Sequence, residues 1–271
     1  MIPVVNMRDF FSIYRKNGKN VWEEYFEQPL GYTLDDIYKA QHVTFSYDLP
    51  RVRGKELWSV AGMEGNERFE NLKKIYSQYI RFAKEMMTYI EDGRKQTLGD
   101  RKDVISCICR GTDYNNTLIG IDKQPTADMV ISKVKDFMHE SDFHYVYCAT
   151  EDKRIYEKFK NEFGTALLPN IQQKYGDNNG KLLAKVNIEH NIDVHKIARE
   201  YIRSIYIVSQ CQSFVGGQVS ATTAVMLMPN KFEKTYIFQL GPVTPDDIIN
   251  AQKKNETDNK EIPSQHKDAM V

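Results

Sequence analysis

Residues 104–109 have the sequence VISCIC, an unbroken apolar run that is typical of a strand covered on both faces of a sheet. Further strands are predicted at 144–149 (HYVYCA), 213–215 (SFV) and 235–240 (TYIFQL), with a weaker one at 167–168. Helical patterns lie between them, at 125–141, 152–163, 195–212 and 221–228. Strands that alternate with helices indicate a parallel sheet with right-handed crossovers, so we predict a Rossmann-like α/β domain.

The first hundred residues have a mixed pattern. Strands are predicted at 2–7 and 43–47, and short helices at 20–28 and 33–39. Apolar side chains recur every three or four residues from 66 to 91, which predicts one long amphipathic helix, and Gly93 and Gly99 then interrupt the pattern. We therefore predict an amino-terminal domain at 1–99, the Rossmann-like domain at 100–250 and a polar, disordered tail at 251–271.

The composition argues against several classes of protein. The 271 residues carry 37 basic and 37 acidic side chains, and this zero balance argues against a nucleic-acid partner. The four cysteines lie in apolar or helical surroundings and are interpreted as buried free thiols, which favours a reducing, cytoplasmic compartment. No apolar run approaches the ~20 residues that cross a bilayer, so we predict no transmembrane segment.

Polar clusters follow three of the predicted strands, and ligands of open parallel sheets bind beside the carboxyl ends of the strands. The first cluster is Arg110-Gly111-Thr112-Asp113. Arg110 offers a planar fork to a phosphate or carboxylate, and Gly111 allows a tight turn. The alternative interpretation is an ordinary turn in which Arg110 pairs with Asp113.

The second cluster, Thr150-Glu151-Asp152, either surrounds the nucleoside part of a ligand or caps the following helix through Thr150 or Asp152. The third cluster spans residues 216–223 (GGQVSATT) and contains Gly216, Gly217, Ser220, Ala221 and Thr222. Paired glycines at a helix start expose backbone amides that point the same way, which favours an anion site over a simple cap. The arginine fork and this helix start can together grip one pyrophosphate.

The sequence resembles fucosyltransferase-like glycosyltransferases in three segments, CRGTDY (109–114), YVYCATED (145–152) and YIRSIYIVSQCQSFVGGQVSATTAVMLM (201–228). The amino-terminal IPVVNM and NVWEEYFEQPLGYTLDDIY are similar to bacterial members of capsule or O-antigen synthesis. The resemblance covers most of residues 2–245 and implies the GT-B architecture, in which two Rossmann-like domains face a cleft and residues 1–99 form the acceptor-side domain. Relatives carry a glycine-bearing strand–helix unit before the strand predicted at 2–7, so we expect an incomplete amino-terminal domain.

Matched position by position, the resemblance implies a role for each cluster. Arg110 holds the donor diphosphate, the acidic pair 151–152 lies near the nucleoside, and Ser220 and its neighbours bind the phosphates. Asp113 matches a family acid and is the candidate general base. The candidate catalytic residues are therefore Arg110 and Asp113, and the candidate donor-binding residues are Arg110, Gly111, Thr112, Thr150, Glu151, Asp152, Gly216, Gly217, Ser220, Ala221 and Thr222.

The chain also departs from the family pattern. Gly111 replaces a second arginine, Ile108 replaces a histidine, and Ser204 stands near a position where some relatives carry an acid. These departures leave the identity of the donor sugar open. His42 and the acids of residues 1–99 are alternatives to Asp113 as the general base.

We predict a cytoplasmic glycosyltransferase that moves a sugar, with fucose as a candidate, from a nucleotide-diphosphate donor to a surface polysaccharide precursor. No D-x-D triplet, with which metal-dependent transferases commonly hold the donor, occurs in the chain, so we expect neither metal nor cofactor. The resemblance favours a GDP-sugar as the substrate. The expected acceptor is a glycan or lipid-linked glycan, the latter met at the membrane periphery. A non-catalytic nucleotide-sugar-binding module is the alternative, and a nucleotide-sugar epimerase is weakened by the absence of G-x-G-x-x-G.

Overall fold

The computed structural model of the chain describes residues 2–8, 13–16, 18–45, 67–112, 121–178, 181–229 and 232–249. The strands are β1 (Val104–Ile108), β2 (Tyr145–Ala149), β3 (Ser213–Gly216) and β4 (Lys234–Ile237). The helices are α1 (Trp22–Tyr25), α2 (Leu34–Lys39), α3 (Glu67–Tyr79), α4 (Lys84–Leu98), α5 (Ala127–Glu140), α6 (Lys153–Phe163), α7 (Leu183–Glu189), α8 (Val194–Ser209) and α9 (Ser220–Leu227). A three-residue 3-10 turn, Gly164–Ala166, follows α6, and a last helical turn covers 245–249.

The four strands form one parallel sheet in the order β2-β1-β3-β4. β1 lies between β2 and β3, with Cys107 opposite both Cys148 and Val215. The chain moves outward from β1 to β2, returns past β1 to β3 and continues to β4, so the direction of winding reverses between β1 and β3. Sheets of this kind bind ligands in the crevice outside the carboxyl ends of the strands at such a reversal. The predicted mixed α/β chain with a parallel sheet is confirmed.

Helices cover both faces of this sheet. On one face, α5 and α6 bury Val134 and Phe159 against Ile105 of β1. On the other face, α8 and α9 bury Val208 and Val225 together with Ile108. Every residue of β1 is buried, which explains why its sequence is continuously apolar instead of alternating between apolar and polar residues.

The helices before β1 pack against the sheet domain, with α4 lying along α8. Gly93, where we predicted a break, lies inside α4, which ends at Leu98. A glycine inside a helix costs about 1 kcal/mol relative to alanine. The buried side chain of Arg203 explains its presence, because a Cβ at residue 93 would lie 2.3 Å from Arg203 Cδ.

The predicted strand at 2–7 is wrong, since these residues, all of them described, adopt no strand. Their backbone is bonded to side chains instead of a neighbouring strand. The amide of Val5 donates to Gln28 Oε1 at 2.9 Å, and the amide of Met7 donates to Asn20 Oδ1 at 2.9 Å. The apolar pattern alone does not reveal these two polar partners.

The long helix predicted at 66–91 is also wrong, because the chain bends at 80–83 and divides it into α3 and α4. At the bend the amide of Ala83 donates to Tyr25 O at 3.0 Å. Of the strand predicted at 43–47, residues 43–45 adopt none and the remainder lies outside the described residues, as does the tail at 251–271. The described residues before 100 contain no sheet, so the second Rossmann-like domain and its cleft are not confirmed.

Candidate functional site

The carboxyl ends of β1, β2 and β3 lie at the same edge of the sheet because the strands are parallel. Each is followed by one of the predicted clusters, so 110–112, 150–152 and 216–222 come to this edge. Asp113 lies outside the described residues, and its role as a general base stays a prediction.

Glu151, from the end of β2, holds the turn that follows β1. Its carboxylate is 3% exposed, and its Oε1 accepts hydrogen bonds from the Gly111 amide and the Thr112 hydroxyl, each at 3.0 Å. Its Oε2 lies 3.3 Å from Arg110 Nη1. A side chain assigned to donor binding is thus directed at the protein's own turn and at the arginine proposed to hold the diphosphate.

Asp152 caps α6, as one of our two interpretations predicted, and also braces the same turn. Its Oδ1 accepts from the amides of Arg154 at 2.8 Å and Ile155 at 3.4 Å, while its Oδ2 accepts from the Thr112 amide at 3.1 Å and Arg154 Nη2 at 2.7 Å. Burial by itself raises the pKa of Asp152, but hydrogen bonds from Arg154 and the Thr112 amide outweigh burial and lower it below its ordinary value. The carboxylate therefore stays ionised at neutral pH.

The turn at 111–112 fits this acidic pair closely. Thr112 has a left-handed φ of 45°, which is uncommon for a residue with a side chain. A Cβ at residue 111 would lie 2.4 Å from Asp152 Oδ2 and 2.6 Å from Asp152 Cβ. A side chain therefore does not fit at Gly111, which accounts for the glycine at this position.

The third cluster is held by a residue that we did not predict. A Cβ at Gly217 would lie 2.4 Å from Gln124 Oε1 and 2.6 Å from Pro125 Cδ, so the turn after β3 lies directly against the segment before α5. The Nε2 of Gln124 donates to Gln218 O at 3.1 Å across this contact. The structure therefore brings all three clusters to one edge, the first two joined by direct hydrogen bonds and the third beside the first because β1 pairs with β3, with Ile108 opposite Gly216.

The start of α9 differs from the starts of the other two helices that follow strands. α5 is capped by the Thr126 hydroxyl and α6 by the Asp152 carboxylate, but no side chain among the described residues caps α9, whose N-cap is Val219. The Thr222 hydroxyl is used inside the turn, donating to Gly217 O at 2.7 Å. First-turn amides without a cap, together with the helix dipole, favour an anion at this position.

A cavity of about 330 Å³ opens beside Arg110, lined by Arg110, Gly111, Gln124, Pro125, Thr126, Ala127, Asp152, Arg154, Ile155 and Lys158. Its three cationic side chains each have an acidic partner. Besides the Arg110–Glu151 pair, Arg154 lies 2.7 Å from Asp152 and Lys158 lies 2.9 Å from Asp128 on α5. The cavity therefore presents fixed hydrogen-bond donors without an excess of positive charge, which suits a polar, uncharged group such as a base or sugar.

Sequence reasoning missed seven of these lining residues, of which four are polar: Gln124, Thr126, Arg154 and Lys158. The signal for Thr126 was present, because Pro125-Thr126 marks a helix start. Arg154 and Lys158 are four residues apart on α6, a spacing that places them on one helix face but does not identify what that face meets. Gln124 carries no local signal.

The hydroxyls of Thr150 and Ser204 both accept hydrogen bonds within the protein. The Thr150 hydroxyl accepts from the Asp152 amide at 3.1 Å. The Ser204 hydroxyl accepts from Tyr147 Oη and Asn170 Nδ2, each at 3.1 Å. Both hydroxyls are buried and help to fix the carboxyl end of β2.

The cysteines, all of which are described, are buried and unpaired, as predicted. Cys109 directly precedes Arg110 and is fully buried. Burial raises the pKa of this thiol well above its ordinary value, so it stays protonated and is not a nucleophile.

The strand predicted at 167–168 is reduced to an isolated bridge between Val146 and Leu167, and the following loop runs beside β2. The Tyr175 amide donates to Glu151 O at 2.7 Å, which ties this loop to the site. Lys174 closes the loop, its Nζ donating to Gln172 O at 2.7 Å. Burial lowers the pKa of Lys174 to about 8.

Within the part of the chain that the structure describes, no group of three or more His, Cys, Asp or Glu side chains is placed to hold a metal ion. No helix in the same described ranges combines the length and the apolar character needed to cross a membrane.

No family model matches the chain, and no curated protein matches it. The solved structures similar to it include fucosyltransferases. Fucosyltransferase NodZ from Bradyrhizobium is 12% identical over 83% of this chain and 81% of its own, with a TM-score of 0.45. NodZ α-1,6-fucosyltransferase soaked with GDP-fucose is 13% identical over 80% of both chains, with a TM-score of 0.42. POFUT1 in complex with GDP is 10% identical over 61% of this chain and 50% of its own, with a TM-score of 0.37.

Proposed function

We propose that this protein is a glycosyltransferase that uses a nucleotide-sugar donor, bound outside the carboxyl ends of β1 and β3. The observation that carries the proposal is that the Arg110 turn and the start of α9, whose N-cap Val219 makes no side-chain cap, follow the paired strands β1 and β3 at the reversal of the sheet. An anion between them receives a guanidinium fork and backbone amides. The resemblance of these same motifs to those of fucosyltransferase-like enzymes supports a diphosphate as that anion.

The chemistry of sugar transfer requires such a site. When the bond between the anomeric carbon and the β-phosphate oxygen breaks, negative charge grows on the departing diphosphate. Arg110 and the amides of Ser220 and Ala221 are positioned before the reaction and stabilise this charge, which is a metal-independent role in the proposed mechanism. Loss of one such donor costs about 3–4 kcal/mol in barrier height, a decrease in rate of at least a hundredfold.

The cavity beside Arg110 supports an orientation for the donor. With the diphosphate at Arg110 and α9, the cavity leads away toward α6 and receives the nucleoside. Its fixed donors on Arg154 and Lys158 suit the carbonyl and ring-nitrogen acceptors of a base. We favour a GDP-sugar, with fucose as the sugar that the motif resemblance implies.

The proposed acceptor rests on the resemblance of the amino-terminal segments to bacterial enzymes of capsule or O-antigen synthesis. We propose that the acceptor is a glycan or lipid-linked glycan, the precursor of a surface polysaccharide. The protein modifies it in the cytoplasm at the membrane periphery. Asp113, three residues after Arg110, is the proposed general base, and His42 is its alternative. The base must come within hydrogen-bond reach of the attacking hydroxyl.

A non-catalytic module that binds nucleotide sugars is the second candidate function. It is favoured by one observation: the described residues before 100 form no sheet that could face the donor site. Such a module keeps the donor contacts of Arg110 and α9 without a partner domain to position an acceptor.

Incubation with GDP-, UDP- and dTDP-sugars separates these functions. We expect slow hydrolysis of a GDP-sugar by the wild-type protein and at least a hundredfold slower hydrolysis by Arg110→Ala. Binding without release of the sugar indicates the module, and a requirement for a nicotinamide cofactor indicates an epimerase. Near-normal hydrolysis by Arg110→Ala would contradict the proposed mechanism.

A further inference from the structure

A glutamine outside every recognised motif lies against the turn that leads into α9, beside the proposed anion site. Gln124 lies between β1 and α5 and is 6% exposed. Its Nε2 donates to Asp122 O at 3.0 Å and, across the reversal of the sheet, to Gln218 O at 3.1 Å. These two bonds occupy both amide hydrogens of the side chain, so Gln124 has none left to donate to a ligand.

Gly217 leaves the room that this side chain needs. Its φ lies outside the left-handed region, so the backbone conformation does not require glycine here. The requirement is steric, because a Cβ would lie 2.4 Å from Gln124 Oε1 and 2.6 Å from Pro125 Cδ. The glycine pair that suggested an anion site thus has a second role, which is to let the turn after β3 lie against Gln124.

The segment that carries Gln124 is itself anchored on its other side. The Lys123 amide donates to Gly241 O at 2.8 Å, and the Val243 amide donates to Ile121 O at 2.8 Å. The segment 121–125 is therefore held by the chain that follows β4, and Gln124 extends from a fixed base.

We propose that Gln124 is a positioning residue that holds the turn at 217–218, and with it the first-turn amides of α9, without donating a hydrogen bond to the ligand. Its effect on ligand affinity rests on the proposed function, since it assumes that an anion binds between Arg110 and α9. Its effect on the order of α9 does not rest on the proposed function, because the Gln124–Gln218 bond lies within the protein.

Amide hydrogen exchange in the ligand-free protein tests the structural half. We expect Gln124→Ala to speed exchange at residues 223–227, whose amides are hydrogen-bonded within α9, about tenfold or more and to leave α6 unchanged. Gln172→Ala is the matched control, because Gln172 is also 6% exposed and lies in the loop beside β2. Equal protection of 223–227 in the wild type and Gln124→Ala overturns the proposal.

Calorimetric titration with inorganic pyrophosphate tests the functional half. We expect Gln124→Ala and Gly217→Ala each to weaken binding about tenfold, while Gln172→Ala leaves it unchanged. We also expect Gly217→Ala to cost less in the Gln124→Ala background, because half of its steric conflict is gone. If the wild type binds no pyrophosphate, the proposed function fails and the exchange experiment still decides the role of Gln124. If the wild type binds and Gln124→Ala binds equally well, the positioning role is wrong.

Discussion

Replacing Arg110 by alanine leaves the Glu151 carboxylate without its cation. The two groups are 3.3 Å apart, with side-chain exposures of 15% and 3%. At an effective dielectric constant of about 20, their attraction is about 5 kcal/mol before desolvation is subtracted. Removing one partner of a buried pair typically costs 3–5 kcal/mol. Because Glu151 keeps its bonds to Gly111 and Thr112, we expect the low end, a loss of about 3 kcal/mol in the free energy of unfolding.

Glu151→Gln provides the matched second change. A glutamine keeps an acceptor oxygen for the Gly111 amide and the Thr112 hydroxyl. Because it is uncharged, the loss of Arg110 leaves no unpaired charge buried at residue 151. The double variant Arg110→Ala/Glu151→Gln should therefore regain about 1.5 kcal/mol or more over Arg110→Ala alone, measured by urea unfolding with an unchanged denaturant dependence.

Arg94→Ala is the control for the removal of an ion pair as such. Arg94 and Glu91 on α4 lie 2.8 Å apart, closer than Arg110 and Glu151, but are 27% and 29% exposed. Exposed pairs contribute about 0–1 kcal/mol, so a small loss is expected. Burial does not make Arg110 and Glu151 interdependent if Arg110→Ala lowers the free energy of unfolding no more than Arg94→Ala. The same holds if adding Glu151→Gln to Arg110→Ala restores no stability.

Three further predictions concern the same edge of the sheet. Gly111→Ala should lower the free energy of unfolding by about 1–3 kcal/mol, because its Cβ would meet Asp152 at 2.4 Å; stability equal to wild type in urea unfolding contradicts this fit. Asp152→Ala should cost about 2 kcal/mol through the lost α6 cap, and Asp152→Asn less, since asparagine also caps helices; equal losses in urea would count against the cap. Burial lowers the pKa of Lys174 from 10.5 to about 8, so between these pH values the folded protein binds fewer protons than the unfolded chain. The free energy of unfolding of the wild type should therefore rise relative to that of Lys174→Met by up to about 3 kcal/mol from pH 8 to 10.5. A pH-independent difference between the two unfolding curves contradicts this burial of the amine.

The sheet domain was predictable because its elements have strong local patterns. The run VISCIC is apolar at every position because both of its faces are covered, and the helices on either side have a clear period of three to four residues. The positions of the three clusters then followed from parallel pairing, which brings the ends of β1, β2 and β3 together. Local pattern failed at 2–7 and at 80–83, where the outcome depends on bonds to distant residues.

The hydrogen bonds within the site could not be predicted from local sequence patterns, because they too join distant residues. Glu151 was assigned to a ligand, and its bonds to Gly111 and Thr112 join residues about forty positions apart. The Gln124–Gln218 bond spans 94 positions. The glycines gave the nearest usable signal, since an extra glycine at 111 or 217 marks a close approach even when the approaching residue is unknown.

The central claim is that Arg110 and the start of α9 hold a nucleoside diphosphate, and calorimetric titration with GDP tests it most directly. The comparison is between Glu151→Gln and Arg110→Ala/Glu151→Gln, in both of which residue 151 is uncharged. We predict that GDP binds Glu151→Gln and that the loss of Arg110 in the double variant weakens binding at least a hundredfold. Equal affinity in the two variants, or no binding of GDP to the wild-type protein, would contradict the assignment of this edge of the sheet as a donor site.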